Sequence, residues 1–301
     1  MRVLIFLMAL AWAIPASALE MVRVANDVYA IVGDLSQRSP SNFGNNATFG
    51  AVLTNDGVVL IDPGGSAKGA AQIETALKSV TDKPVKLVIN TGGQDHRWLG
   101  NGYFKAKGAK IIASTAAVED QRDRSDIQFQ GLEFLIGKEN LTGTEAVYAD
   151  QIFDEKLDLD WGGVRFELHA SGGAHTPGDA FVWLADRGVM FTGDIVYLER
   201  MLAVLDVSDS AAWVDAFNAI AAYEPKVIVA GHGHPNDLAK AKKQTLDYLV
   251  NVRTKVRAVL DRGGLIADGT AVDQNAFKDL FNFEQLARRN AQAVFIEMEF
   301  D

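Results

Sequence analysis

Residues 85–101 read VKLVINTGGQDHRWLGN, and the fold turns on this stretch. Val85, Leu87, Val88 and Ile89 surround a single Lys, the pattern of a short apolar strand. The strand runs into a glycine-rich loop that carries Asp95 and His96, side chains able to hold a metal or move a proton. Glycine neighbours let such a loop pack closely around an ion.

Upstream, residues 28–32, 48–53 and 58–62 read as strands, with Asn55-Asp56-Gly57 turning between the last two. Residues 66–80 have helical spacing, with Ile73, Ala76, Leu77 and Val80 on one face. Downstream come a short strand at 110–113 and a long charged helix at 114–138, expected to present a solvated face. The second half repeats the scheme: strands at 153–159, 164–169, 180–184 and 189–192, a helix at 211–222, a buried strand at 226–230 and a long helix at 237–260. Two short helices are expected near 272–280 and 283–291. GVVLID at 57–62 echoes GVMFTGD at 188–194, and VKLVINTGG at 85–93 echoes KVIVAGHG at 226–233. No Pro/Ser-rich linker divides the chain, which predicts one domain over 19–301: two mixed sheets packed together with helices outside.

The chain has 301 residues, 48% of them hydrophobic and 23% charged, with a formal charge of −10 and no Cys. That composition excludes a disordered chain, a collagen and a disulfide-stapled scaffold. The acidic balance, with no basic block, argues against nucleic acid or an anionic membrane as main partner. Residues 1–18, MRVLIFLMALAWAIPASA, have the layout of a secretory leader: Arg2, an apolar run at 3–14, Pro15 and an Ala16-Ser17-Ala18 cleavage motif. The apolar run falls short of the roughly 20 residues a spanning helix needs. Cleavage after Ala18 and export to the periplasm as a soluble protein are the expectation.

Of the five histidines, four lie in glycine-rich loops that follow strand patterns. His175 sits in GGAHTPGD, where Thr-Pro-Gly makes a tight turn and Asp179 is expected to support the imidazole. Asp194 closes FTGD, and His232 lies in AGHGHP beside His234, which is expected to support or cap. His169, inside a strand pattern, reads as structural. Neutral imidazoles and carboxylates at successive strand ends suit zinc, and two His with one carboxylate also suit non-haem iron.

IDPG at 61–64, the loop at 90–101, HTPG at 175–178, TGD at 192–194 and GHG at 231–233 occur in the order found in the metallo-β-lactamase superfamily, which the chain resembles from 19 to about 240. The resemblance implies an α+β fold, the αββα four-layer sandwich, with a metal site along one edge and hydrolysis by a metal-activated water. The loop departs from the family pattern T-H-x-H-x-D-H followed by x-G-G-N. Thr91, Gly100 and Asn101 align without gaps, so Gly92 and Gln94 replace the first two metal-binding histidines, His96 falls at the Asp and Arg97 at the last His. A one-residue slip instead pairs Asp95-His96 with the family's Asp-His. Gly92 offers no donor, Gln94 at most an amide oxygen, and Arg97 stays protonated.

The surviving donors His96, His175, Asp194 and His232 are expected to form a single zinc site. Asp95 would orient His96 or the water, and His96 would serve as fourth ligand or general base. Arg97 would steady an anionic substrate or intermediate. Alternatively, the site has decayed and the fold only binds. The loop NTGGQDHRWLGN, the leader and the missing Cys also resemble the SoxH-related, periplasmic quinoprotein relay system zinc metallohydrolases of type 1. That likeness implies a small-molecule substrate and association with pyrroloquinoline quinone (PQQ)-dependent dehydrogenase systems. Trp98, Phe104 and Phe129 could line a pocket, but core positions are expected.

Overall fold

The computed structural model of the chain describes residues 19–299, so the leader read at 1–18 lies outside them. The first sheet runs β1 (Glu20–Ala25), β2 (Val28–Val32), β3 (Thr48–Thr54), β4 (Gly57–Ile61), β5 (Val85–Ile89), β6 (Lys110–Ser114) and β7 (Gln151–Phe153), each beside the next. Pairing is antiparallel from β1 to β4 and parallel from β4 to β7. The second sheet contains β8 (Lys156–Trp161), β9 (Val164–Gly172), β10 (Asp179–Leu184), β11 (Val189–Phe191) and β12 (Val227–Val229), again in order. Only β11 and β12 are parallel there.

Alternation along the strands builds the layers. Val59, Ile61, Leu87 and Ile89 face the second sheet and pack with Phe166, Leu168, Val182 and Phe191. Val58, Leu60 and Val88 face the other way, onto Ile73 and Leu77 of α1 (Ala67–Leu77) and Phe104 of α2 (Asn101–Lys105). Burial on both sides is why these strands read as unbroken apolar runs. Beyond them α3 (Thr115–Ile136) starts on the Ser114 cap, whose hydroxyl accepts from the Ala117 N–H. The outer face of the second sheet, through Phe181, Met190 and Ile228, is covered by α4 (Ser210–Ala221) and by the helices that follow. These are α5 (Leu238–Ala241), continued by a π-helical turn at Lys242–Leu246 into α6 (Asp247–Leu260), then α7 (Ile266–Thr270) and α8 (Phe283–Glu299). The result is the α+β, αββα sandwich.

Local departures from the sequence reading have simple causes. Residues 153–159 are not one strand: Phe153 ends β7 in the first sheet, and the chain crosses through Asp154 and Glu155 to start β8 in the second. In place of a helix at 272–280 there is α7 upstream and a single 3-10 turn at Asn275–Phe277. The last helix continues to Glu299 because Val294, Phe295 and Met298 extend the buried stripe begun by Leu286, Ala287 and Ala291. The internal echo has a structural counterpart. In each sheet the first echoed strand is the parallel neighbour of the second, β4 of β5 and β11 of β12.

Candidate metal centre

The carboxyl ends of β4, β5, β11 and β12 deliver their loops to one edge. Asp62 follows β4 in the left-handed region, φ 65°, and accepts from the Thr91 N–H and Oγ1, each at 2.7 Å. Asp194, its counterpart in the second half, sits in a 3-10 turn at Gly193–Ile195. Arg97 joins the two. Its Nε and Nη2 donate to Asp194 at 3.1 and 2.7 Å, Nη1 donates to Asp62 at 2.9 Å and to the Thr48 carbonyl, and Nη2 also donates to the Gly231 carbonyl. All five N–H groups are thus used by a side chain with no exposed surface. Burial opposes the charge on Asp194, but Arg97, with His96 and His232, holds its carboxyl well below the usual range.

On the other side of Asp194 stand two imidazoles. His96 Nε2 lies 3.1 Å from one carboxylate oxygen and His232 Nε2 lies 3.2 Å from the other. The ligating atoms of His96, Asp194 and His232 all fall within 4.8 Å of one another, and all three residues are buried. His232 Nδ1 is 2.8 Å from the Asn46 carbonyl, which can only accept, so the ring proton sits there. Its Nε2 lone pair therefore faces a carboxylate, an arrangement that repels unless a cation or proton lies between. Zinc bonds of about 2.0–2.2 Å place tetrahedral ligand atoms about 3.3 Å apart, comparable to the two imidazole–carboxylate separations of 3.1 and 3.2 Å. The donor set fits one divalent metal, and a carbonyl on the far ring nitrogen is the usual support for a metal-bound histidine.

Asp95 stands behind His96, with one carboxylate oxygen 3.0 Å from His96 Nδ1 and paired with Arg38. Burial works against its charge, and Arg38 chiefly outweighs that, holding the carboxyl low. His96 and Arg97 both reach Asp194, while Asp95 turns to Arg38. Arg97, sealed and saturated, cannot touch a substrate.

His175 is not part of the cluster. It lies on the wall of the adjoining cavity, its Nδ1 3.0 Å from the Ala203 carbonyl, and burial pulls its pKa down to about 4. Asp179 does not support it. That carboxylate accepts from Thr176 N–H and Oγ1 at 2.8 and 2.6 Å, and burial together with Asp194 pushes it up to about 8. A Cβ on Gly92 would come within 2.5 Å of Asp179 Oδ1, so the space a side chain would need at this position is taken. His234 pairs with Glu199 away from the centre, and His169 stacks on Phe181 and bonds Tyr223. Trp98 and Phe104 are core residues, and Phe129 packs beside Trp98.

Several residues escaped the sequence reading. The helix α3 is not merely a solvated face: Gln121 and Gln128 donate to the carbonyls of Gly92 and Gly93 and clamp the loop. A cavity of about 480 Å³ opens beside His96 and His232, and Arg38, Arg200 and Arg289 line it. Arg200 left a visible trace, a charged Glu199-Arg200 pair interrupting the apolar run IVYLERML at 195–202.

A sequence profile described as the metallo-beta-lactamase superfamily matches residues 42–232. A metallo-beta-lactamase from Pontibacter korlensis superposes with a TM-score of 0.62 at 22% identity, covering 77% of this chain and 99% of that one. The stereoselective inverting sec-alkylsulfatase Pisa1 from Pseudomonas sp. gives 0.69 at 16% identity over 92% of this chain. A double mutant of that sulfatase gives 0.71 at 15% over 93%. The chain spans 50% of the sulfatase's length, and at these identities the likeness is one of fold. The chain belongs to the metallo-β-lactamase superfamily.

Proposed function

We propose that this member of the metallo-β-lactamase superfamily is a hydrolase of a small-molecule substrate that works with a single zinc ion held by His96, Asp194 and His232. The carrying observation is the His232 Nε2 lone pair, aimed at the Asp194 carboxylate while Nδ1–H is tied to the Asn46 carbonyl. A metal there supplies Lewis acidity, which acidifies water and polarises an ester, thioester or amide carbonyl. The chain's own residues do the rest. Asp95 fixes the His96 ring. His175, neutral with its free Nε2 on the cavity wall, orients a water or accepts its proton. Arg97 puts a permanent charge where the family alignment has a ligand, and so keeps Asp194 ionised without a second ion. The sulfatase fold neighbours add sulfate esters to the substrate screen.

Export through residues 1–18 and service to a periplasmic PQQ-dependent dehydrogenase system are part of the same proposal. The leader's layout and the loop at 90–101 support them. The test is elemental analysis and turnover of the exported protein purified without chelator. His232→Ala is expected to lose both metal and hydrolysis, and unchanged turnover in that variant contradicts the reading. Iron with dioxygen consumption would make the same triad an oxidoreductase centre.

A second reading, a metal-free binding protein, is favoured by one contact: Arg38 Nη2 lies 2.6 Å from His96 Nδ1. Arginine only donates, so this contact puts the His96 proton on Nε2, toward Asp194, where it cannot ligate. Calorimetric zinc titration of the chelated protein separates the two, since a binding protein takes up none.

A further inference from the structure

Arg200 is 4% exposed, yet among the described residues no carboxylate pairs with it. Its Nη1 donates to the Ser36 carbonyl at 3.1 Å and lies 3.5 Å from His232 Nδ1, whose proton already goes to Asn46. Its Nε is buried without a partner among the described residues, and so is the Nε of Arg38. A buried guanidinium with donors to spare is costly unless something else supplies the acceptor. Arg200 lines the 480 Å³ cavity together with Arg289, an exposed cation of α8 that pairs with no carboxylate among the described residues. The same cavity is walled by Val204, Leu205 and Leu286. Its volume suits a small molecule. Arg38, Leu286 and Arg289 fall outside residues 42–232, so part of this wall comes from segments beyond the span matched by the family.

We propose that the cavity recognises an organic anion: a carboxylate or sulfate group bound by Arg200 and Arg289, with an apolar body against Val204, Leu205 and Leu286. Planar guanidinium forks match both oxyanions, and Arg200 presents donors in a largely water-excluded setting. The proposal deepens the hydrolase reading by naming the substrate class of the same cavity, but it concerns binding and stands apart from turnover.

Calorimetry on the exported protein, metal-free and zinc-loaded, with octanoate, octyl sulfate and neutral 1-octanol tests it. At least one anion is expected to bind about tenfold or more tighter than 1-octanol, and the better of the two assigns carboxylate or sulfate. Arg289→Met, at an exposed position that leaves the core intact, is expected to weaken that anion about tenfold and leave 1-octanol unchanged. Arg200→Met, checked for folding by circular dichroism, is expected to weaken it further. Equal binding of octanol and the anions, no saturable anion binding, or an Arg289→Met variant that binds anions as before overturns the proposal. Anion binding without metal uptake sinks only the hydrolase reading, and metal uptake without anion binding sinks only this one.

Discussion

Two buried arginines flank the same centre and are built in opposite ways. Arg97 spends every donor inside the protein, on Asp62, Asp194 and two backbone carbonyls, and joins the equivalent carboxylates of the two halves. Arg200 has a carbonyl, a marginal contact to an imidazole and an Nε with nothing to bond. The first is finished by the fold, and the second is left for a ligand to finish. A saturated buried ion pair holds structure, whereas an unsatisfied buried cation marks where solvent or substrate must enter.

Removing Arg97 is expected to have the largest effect. Arg97→Met leaves Asp62 and Asp194 buried without their cation and is expected to cost about 3–5 kcal/mol, or to prevent folding. Arg97→Lys should not rescue it, because an ammonium cannot reproduce the fork. A denaturant midpoint within experimental error of the parent contradicts the structural role given to this residue. On the open side of Asp194, Asp95→Asn removes the charge that fixes His96, and zinc affinity is expected to fall about 10–100-fold by competition with a chelating dye. Unaltered affinity would mean that His96 is held by something other than Asp95.

Two pH effects of opposite sign sharpen the contrast further. His175 has its pKa lowered by burial to about 4, so the fold prefers the neutral ring. Its contribution is present above the unfolded value near 6.5 and is lost as pH falls from there toward 4. The metal-free protein should therefore lose thermal stability over that range, and His175→Gln should flatten the loss. Asp179 runs the other way. Its folded pKa, pushed to about 8 by burial and Asp194, means stability declines as pH rises from about 4 to 8. Asp179→Asn, which keeps an acceptor for the Thr176 N–H, is expected to raise Tm at pH 8 by roughly 2–4 °C relative to the parent and to do little at pH 4. A variant melting lower at pH 8 would show that the ionised carboxylate is needed there.

The layered sandwich was legible because strands buried on both faces leave apolar runs and glycine-rich loops mark their ends. His96, Asp194 and His232 were legible for the same reason, as donors among glycines at strand ends. The separation of His175 was not: which imidazoles converge on Asp194 is set by how the two sheets stack, and among the described residues His96 and His232 are the ones that come within ligand distance of it. Nor was the role of Arg97, whose partners come from β3, the β4 end, the β11 turn and the β12 loop, brought together only by the sheets. The same holds for α3, where the polarity of Gln121 and Gln128 suggested solvent but serves the backbone of Gly92 and Gly93. The switch between sheets at Asp154-Glu155 was hidden because a short crossing leaves no break in strand-like composition.

In the proposed reading Arg97 stands in for a second cation and leaves one metal position. Elemental analysis of the protein, purified without chelator and again after saturation with zinc and gel filtration, tests this. One metal ion per chain, lost in His232→Ala, is the predicted result. Two ions per chain, or none even after saturation, would contradict it.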